Sequence, residues 1–192
     1  MTRISFYTFR EGLDNDASLI WTCRLIQKIA GLAPVWVYVE PETIDRLDQA
    51  LWTFDSAAFL AHRRADSIDD DLSRVVLVAA TAPPKHPNGD IESCVASQTL
   101  DPTVSQKVAP EREADEKAPT DHPITTNATP ILADAPGDAV LVNLARALPP
   151  EFARFERLAD VVAIDADSRE AGRVRYRFLR ERGYPLTHHV LG

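Results

Sequence analysis

Cysteine is scarce in this chain of 192 residues: there are two, Cys23 and Cys94, in no CxxC or metal-ligand spacing. That argues against a disulfide framework and for reduced thiols in a cytoplasmic protein, with Cys23 a small buried hydrophobe. The usual nucleotide signatures are missing too. No G-x-G-x-x-G and no G-x-x-x-x-G-K-[ST] occurs, and the turn after the first strand pattern holds a single glycine, Gly12. There is no G-x-S-x-G elbow and no H-E-x-x-H helix, so neither an activated serine nor a zinc site is announced. No apolar run approaches the roughly 20 residues of a membrane span. The start, MTRISFYTF, reads as a strand and lacks the pattern of a signal peptide. With a formal net charge of −8 and a pI near 5.1, the chain has no broad basic field for nucleic acid or anionic membranes.

What is present is enough apolar material for a core, 45% hydrophobic residues, arranged as alternating strand and helix patterns. Ile4–Phe9 and the continuous run Val35–Val39 read as strands, the second buried on both faces. Between them a helix starts at Asp14, Asn15 or Asp16, carries Leu19 (or Ile20), Cys23, Ile26 and Ile29–Ala30 on its core face, and stops at Gly31. Pro41 opens a second helix with core positions Ile44, Leu47 and Leu51. Val75–Ala80 and the segment 130–133 (PILA) are candidate strands, and Ala139–Leu144 is a further buried strand. A short helix is expected over Pro150–Leu158, then a strand over Val161–Ile164, a helix capped by Ser168, and a final edge strand over Tyr184–Leu191. This alternation predicts a Rossmann-like three-layer α/β domain: a mostly parallel sheet, helices on both faces, right-handed crossovers, and no phosphate-binding loop.

The middle breaks the pattern. Pro83 to Pro136 holds nine of the fourteen prolines and no aromatic residue. Such a composition cannot bury enough apolar surface to offset its ordering entropy, so about 83–127 is expected to be a disordered insertion within one domain spanning 1–192. Asp69-Asp70-Asp71 just before it reads as a solvated acidic loop. The five histidines offer no metal spacing. His188 and His189, adjacent on a strand, point to opposite faces and read as ordinary edge residues. Neither a metal nor a cofactor is expected.

The last helix pattern is the most informative. Residues 169–182 contain six arginines and two glutamates, a local charge of +4 that leaves −12 for the rest of the chain. At about 100° per residue, Arg169, Arg173, Tyr176, Arg177 and Arg180 share one face, with Ala171, Val174 and Phe178 opposite as the expected core stripe. A cationic ridge holding one aromatic ring suits a small anionic partner; a solvated helix face is the plainer explanation. A second cluster, Trp52, Phe54, Phe59 and Leu60, follows the second helix and either caps the core or meets a partner.

Several of these residues also carry a resemblance. RLDQALW at Arg46–Trp52, then Ser56, Phe59 and Ala61-His62, resembles the chi subunit family of bacterial DNA polymerase III. SFYTF at the start, VLVNL at Val140–Leu144, and Asp167-Ser168 with Arg173, Arg175, Tyr176, Gly183 and Tyr184 fit the same family. The match covers about 1–65 and 129–192. The chain departs from the family in lacking a proline before His62, in its insertion of roughly fifty residues, and in Arg177 where some members carry lysine. The resemblance implies a non-catalytic clamp-loader subunit of the holoenzyme, with no cofactor. It implies binding of the acidic, phenylalanine-ended tail of single-stranded DNA-binding protein through Arg173, Tyr176 and Arg177, with Arg169 contributing. It further implies contact with clamp-loader subunits, through a psi subunit, or with a helicase at Trp52 and Phe59. The rival from another class is an α/β enzyme acting on a small phosphorylated or anionic substrate at the arginine helix.

Overall fold

The computed structural model describes residues 1–55, 60–65, 73–80, 132 and 135–192, which all belong to one compact unit built from Met1–Thr81 and Ala128–Gly192. Seven strands form a single all-parallel sheet in the order β3-β4-β2-β5-β6-β1-β7. They are β1 (Arg3–Phe9), β2 (Val35–Val39), β3 (His62–Arg64), β4 (Val75–Ala79), β5 (Val140–Asn143), β6 (Arg157–Val161) and β7 (Leu186–Leu191). Among the described residues three α-helices cover it: α1 (Asn15–Ala30), α2 (Pro41–Thr53) and α3 (Ala166–Glu181). The architecture is the three-layer α/β arrangement expected from the sequence, and it is wholly parallel.

Period-2 side-chain alternation splits the core into two layers. Val35, Val37, Val39, Val75, Leu77, Val142 and Ala159 face α1 and α2, meeting Cys23, Ile26, Ile44, Leu47 and Leu51. Ile4, Phe6, Trp36, Tyr38, Leu141 and Leu158 face the other way, with Leu179 of α3. The α1 cap is Asp14, whose carboxylate accepts from the Ala17 N–H at 2.7 Å. Gly31 ends α1 in an ordinary right-handed conformation, with φ −65°. Burial pushes the Cys23 thiol up to about 12, so it behaves as the packed hydrophobe its sequence context suggests.

Several local expectations change. The strand expected at Val161–Ile164 is β6, lying four residues earlier, and the helix before it is only a 3-10 turn over Pro150–Arg154. The sequence signal fails there because β6 buries a charged residue, Asp160, next to its carboxyl end. The α3 cap is Asp165, accepting from the Ser168 N–H at 2.8 Å, and not Ser168 itself. The buried face of α3 is Gly172, Arg175 and Leu179; Val174 is 44% exposed and Ala171 and Phe178 only half-buried, so the expected apolar stripe is rotated. Trp52 sits in the last turn of α2, not in a loop, and β3, which places His62 in the core, has no apolar run to announce it. Of the expected PILA strand only Leu132 is described, and it is buried. The acidic triplet 69–71, Cys94 and the segment 83–127 lie outside the described residues.

Candidate anion-binding groove

The chain leaves the neighbouring strands β1 and β6 on opposite faces of the sheet. After β1 it crosses by α1 to β2 on one side; after β6 it crosses by α3, on the opposite face, to β7 on the other side. Because β1 lies on the β7 side of β6, the two crossovers pass one another on opposite faces, and a crevice lies at the carboxyl ends of these strands beside α3. A groove of about 460 Å³ occupies that crevice. Phe6, Val162, Ala163, Ile164 and Gly172 supply apolar surface, and Arg169, Arg173 and Tyr176 come from α3.

Several contacts fix α3 above the sheet. Leu179 is fully buried, worth about 2 kcal/mol of transfer energy. Gly172 lets the helix approach β6 closely: a Cβ there would lie 2.7 Å from Val162 Cγ2 and 2.9 Å from Cγ1. Arg175 turns inward. Its Nε and Nη2 donate to the two oxygens of Asp160, both at 2.8 Å, and Nη1 donates to the Arg146 carbonyl at 2.5 Å. Asn143 Nδ2 donates to the same carboxylate at 3.1 Å, so the buried charge pair is enclosed by hydrogen bonds. At the far end Gly183 adopts φ 76°, a left-handed turn that stops α3 and sends the chain into β7.

Asp165, at the N-terminus of α3, has opposing influences. Burial pushes its carboxyl up, but hydrogen bonds from the Ser168 hydroxyl and N–H, with the Arg146 charge nearby, hold it below the ordinary carboxylate value.

With the helix so held, the arginines separate by role. Arg169 and Arg173 are exposed and line the groove. Arg173 donates to Glu170 at 2.7 Å, an exposed i,i+3 pair of small net worth that a ligand carboxylate can replace. Tyr176, 36% exposed, stands edge-on to Phe6 with ring centroids 5.1 Å apart, joining the basic face to the apolar floor. Arg177 is exposed on the same helix but lies outside the groove lining, further round the cylinder. Arg182 instead covers the Phe178 ring at 4.2 Å. Thus Arg169, Arg173 and Tyr176 converge and Arg177 flanks them. Sequence reasoning missed Phe6, Thr8 and His188, which also line the groove: the strand pattern gave their faces but not the neighbour relation of β1 and β7. His189 points to the other face and stacks on Tyr7, as adjacent strand residues must.

The second expected surface lies at the opposite edge. Trp52 is 48% exposed, its ring 4.7 Å from that of His62. His62 Nδ1 donates to the Leu60 carbonyl at 2.8 Å, and its Nε2 lies 3.2 Å from Asp48 Oδ1. Phe59 falls outside the described residues, so only Trp52 of that pair is placed. Among the described residues no three metal-ligating side chains gather, and no described helix is long and apolar enough to cross a membrane.

Fold and groove together define a Rossmann-like α/β protein whose crevice at the carboxyl ends of β1 and β6 is walled by guanidinium and aromatic groups, with no glycine-rich phosphate loop after β1. Its family follows from comparison with known proteins. The family described as DNA polymerase III chi subunit, HolC, matches residues 1–109 and 103–187, and the chain belongs to that family. It is 26% identical over 194 residues to the protein named DNA polymerase III subunit chi from Pseudomonas aeruginosa, across 100% of this chain and 98% of that one. The family ties the chain to DNA replication and to the polymerase III assembly.

Proposed function

We propose that this chain is a non-catalytic accessory subunit, working in the cytoplasm, that links the clamp-loader complex of the polymerase to single-stranded DNA-binding protein by holding the acidic C-terminal tail of the latter. The observation that carries this reading is the pairing of Arg169 and Arg173 with an apolar floor in one crevice. A tail of aspartates ending in an aromatic residue and a free carboxylate needs both: guanidinium donors for the anions and an apolar notch, walled by Tyr176, for the ring. Arg177 extends the cationic track beyond the groove. On this reading the Trp52 surface, with Phe59, meets the partner subunit or helicase, since exposed aromatics are enriched in such interfaces.

The test is calorimetric titration of an Asp-rich peptide ending in Pro-Phe-COOH, with the C-terminal amide as control. Micromolar binding that requires the free carboxylate is expected, weakening as salt screens exposed charges. Arg173→Ala and Arg177→Ala should each lose about 1–3 kcal/mol of binding, the range for hydrogen bonds to charged groups. Wild-type affinity in both variants would refute the assignment.

A further inference from the structure

The groove has a polar group that α3 does not supply. His188, on β7, is paired in register with Phe6 of β1, and its Nε2 lies 2.9 Å from Thr8 Oγ1. Both residues line the groove with Arg169, Arg173 and Tyr176. The His188 ring is exposed, and its Nδ1 has no hydrogen-bond partner among the described residues. A threonine hydroxyl can donate or accept, so it satisfies Nε2 in either protonation state of the ring. It donates to Nε2 when the ring is neutral with its proton on Nδ1, and accepts from Nε2–H when the ring is charged. In both cases Nδ1–H is left to donate to a bound anion.

From this arrangement we infer that His188, steadied by Thr8, is a further binding residue for the acidic tail and makes its docking pH-responsive. The inference rests on the adaptor reading of the groove. The charged and titratable groups lining the crevice are Arg169, Arg173 and Tyr176 of α3, with Glu170 paired to Arg173 beside them; Phe6 and Thr8 of β1 carry no charge, and His189 lies on the opposite face against Tyr7. A bound carboxylate favours the protonated ring, because an opposite charge stabilises it. The ring therefore binds its proton more tightly in the complex than in the free protein. By linkage, affinity rises as pH falls through the value for the complex and levels off below that for the free protein. The peptide carboxylates stay ionised between pH 6 and 8, so they contribute no slope there.

The experiment measures the dissociation constant of the Asp-rich, Pro-Phe-COOH peptide at pH 6 and pH 8 for four proteins. Wild type should tighten about three- to tenfold on going to pH 6, since imidazole is the side chain that changes charge in this range. His188→Gln should bind with the wild-type pH 8 affinity at both values, and His188→Lys should bind more tightly than that at both, without a pH step. Arg173→Ala should be weak throughout yet keep the wild-type pH ratio. A His188→Gln protein that keeps the full ratio overturns the role of His188 and leaves the adaptor reading intact. Failure of wild type to bind the peptide at either pH refutes the adaptor reading, and this inference falls with it.

Discussion

Arg175 and Arg173 differ by two positions and have opposite fates. Arg173 is solvated, and its pairing with Glu170 is worth at most about 1 kcal/mol. Arg175 is desolvated against Asp160, a residue with no solvent exposure, and each charge is tolerable only because the other is present. Arg175→Met should therefore cost about 3–5 kcal/mol in urea denaturation by stranding the Asp160 carboxylate. The double variant Arg175→Met with Asp160→Leu should recover most of that loss, because it removes both charges and not one. A double variant as unstable as the single one would mean that the pair contributes by packing and not by mutual neutralisation. Helical spacing leaves Arg175 off the basic face but gives it no role; its inward angle on the helix, on the same side as Gly172 and Leu179, brings it to Asp160.

At the scale of the element, α3 is positioned more by what Gly172 omits than by an apolar stripe. Alanine there gains up to about 1 kcal/mol of helix propensity. It also drives a methyl group into the branched side chain of Val162, which cannot swing clear as a long flexible chain would. Gly172→Ala is thus expected to be destabilising overall by about 1–2 kcal/mol, overpacking outweighing propensity. Peptide affinity should fall as well, because the helix carries the groove wall; a rise in the thermal midpoint would contradict the close approach. The same helix illustrates what the sequence could and could not disclose. Strands β1, β2, β4 and β5 and helices α1 and α2 were legible because their buried faces are continuous apolar patterns. Strand β6 was misplaced and the core face of α3 misread because each buries one member of an ion pair, and burial of a charge leaves no periodic trace. Strand β3 (His62–Arg64) is polar and three residues long, so it too was silent. In the groove, the arginines and Tyr176 were readable from one helical face. Phe6, Thr8 and His188 belong to strands 180 residues apart that only the sheet order brings together.

For the whole molecule, the compact unit is assembled without residues 82–127. Strands β4 and β5 flank β2, so their axes are about 10 Å apart, two interstrand spacings. A parallel crossover needs about a dozen residues, and roughly eighteen would remain between the strands after removal of 85–126. That deletion is accordingly expected to leave the circular dichroism spectrum and the tail-peptide affinity unchanged, and loss of either would assign the segment a structural part. The sheet order has one more consequence. Strand β1 is made first, yet its neighbours are β6 and β7, with Ile4 opposite Leu158 on one side and Leu186 on the other. At about 5–20 residues per second of translation, the amino-terminal strand waits on the order of ten to thirty seconds for its first neighbour to leave the ribosome. During that time its apolar edge is an open invitation to other strands. The crevice at the carboxyl end of β1 and β6 therefore forms among the last features of the nascent chain, and a truncated product ending before β6 would present no docking site at all.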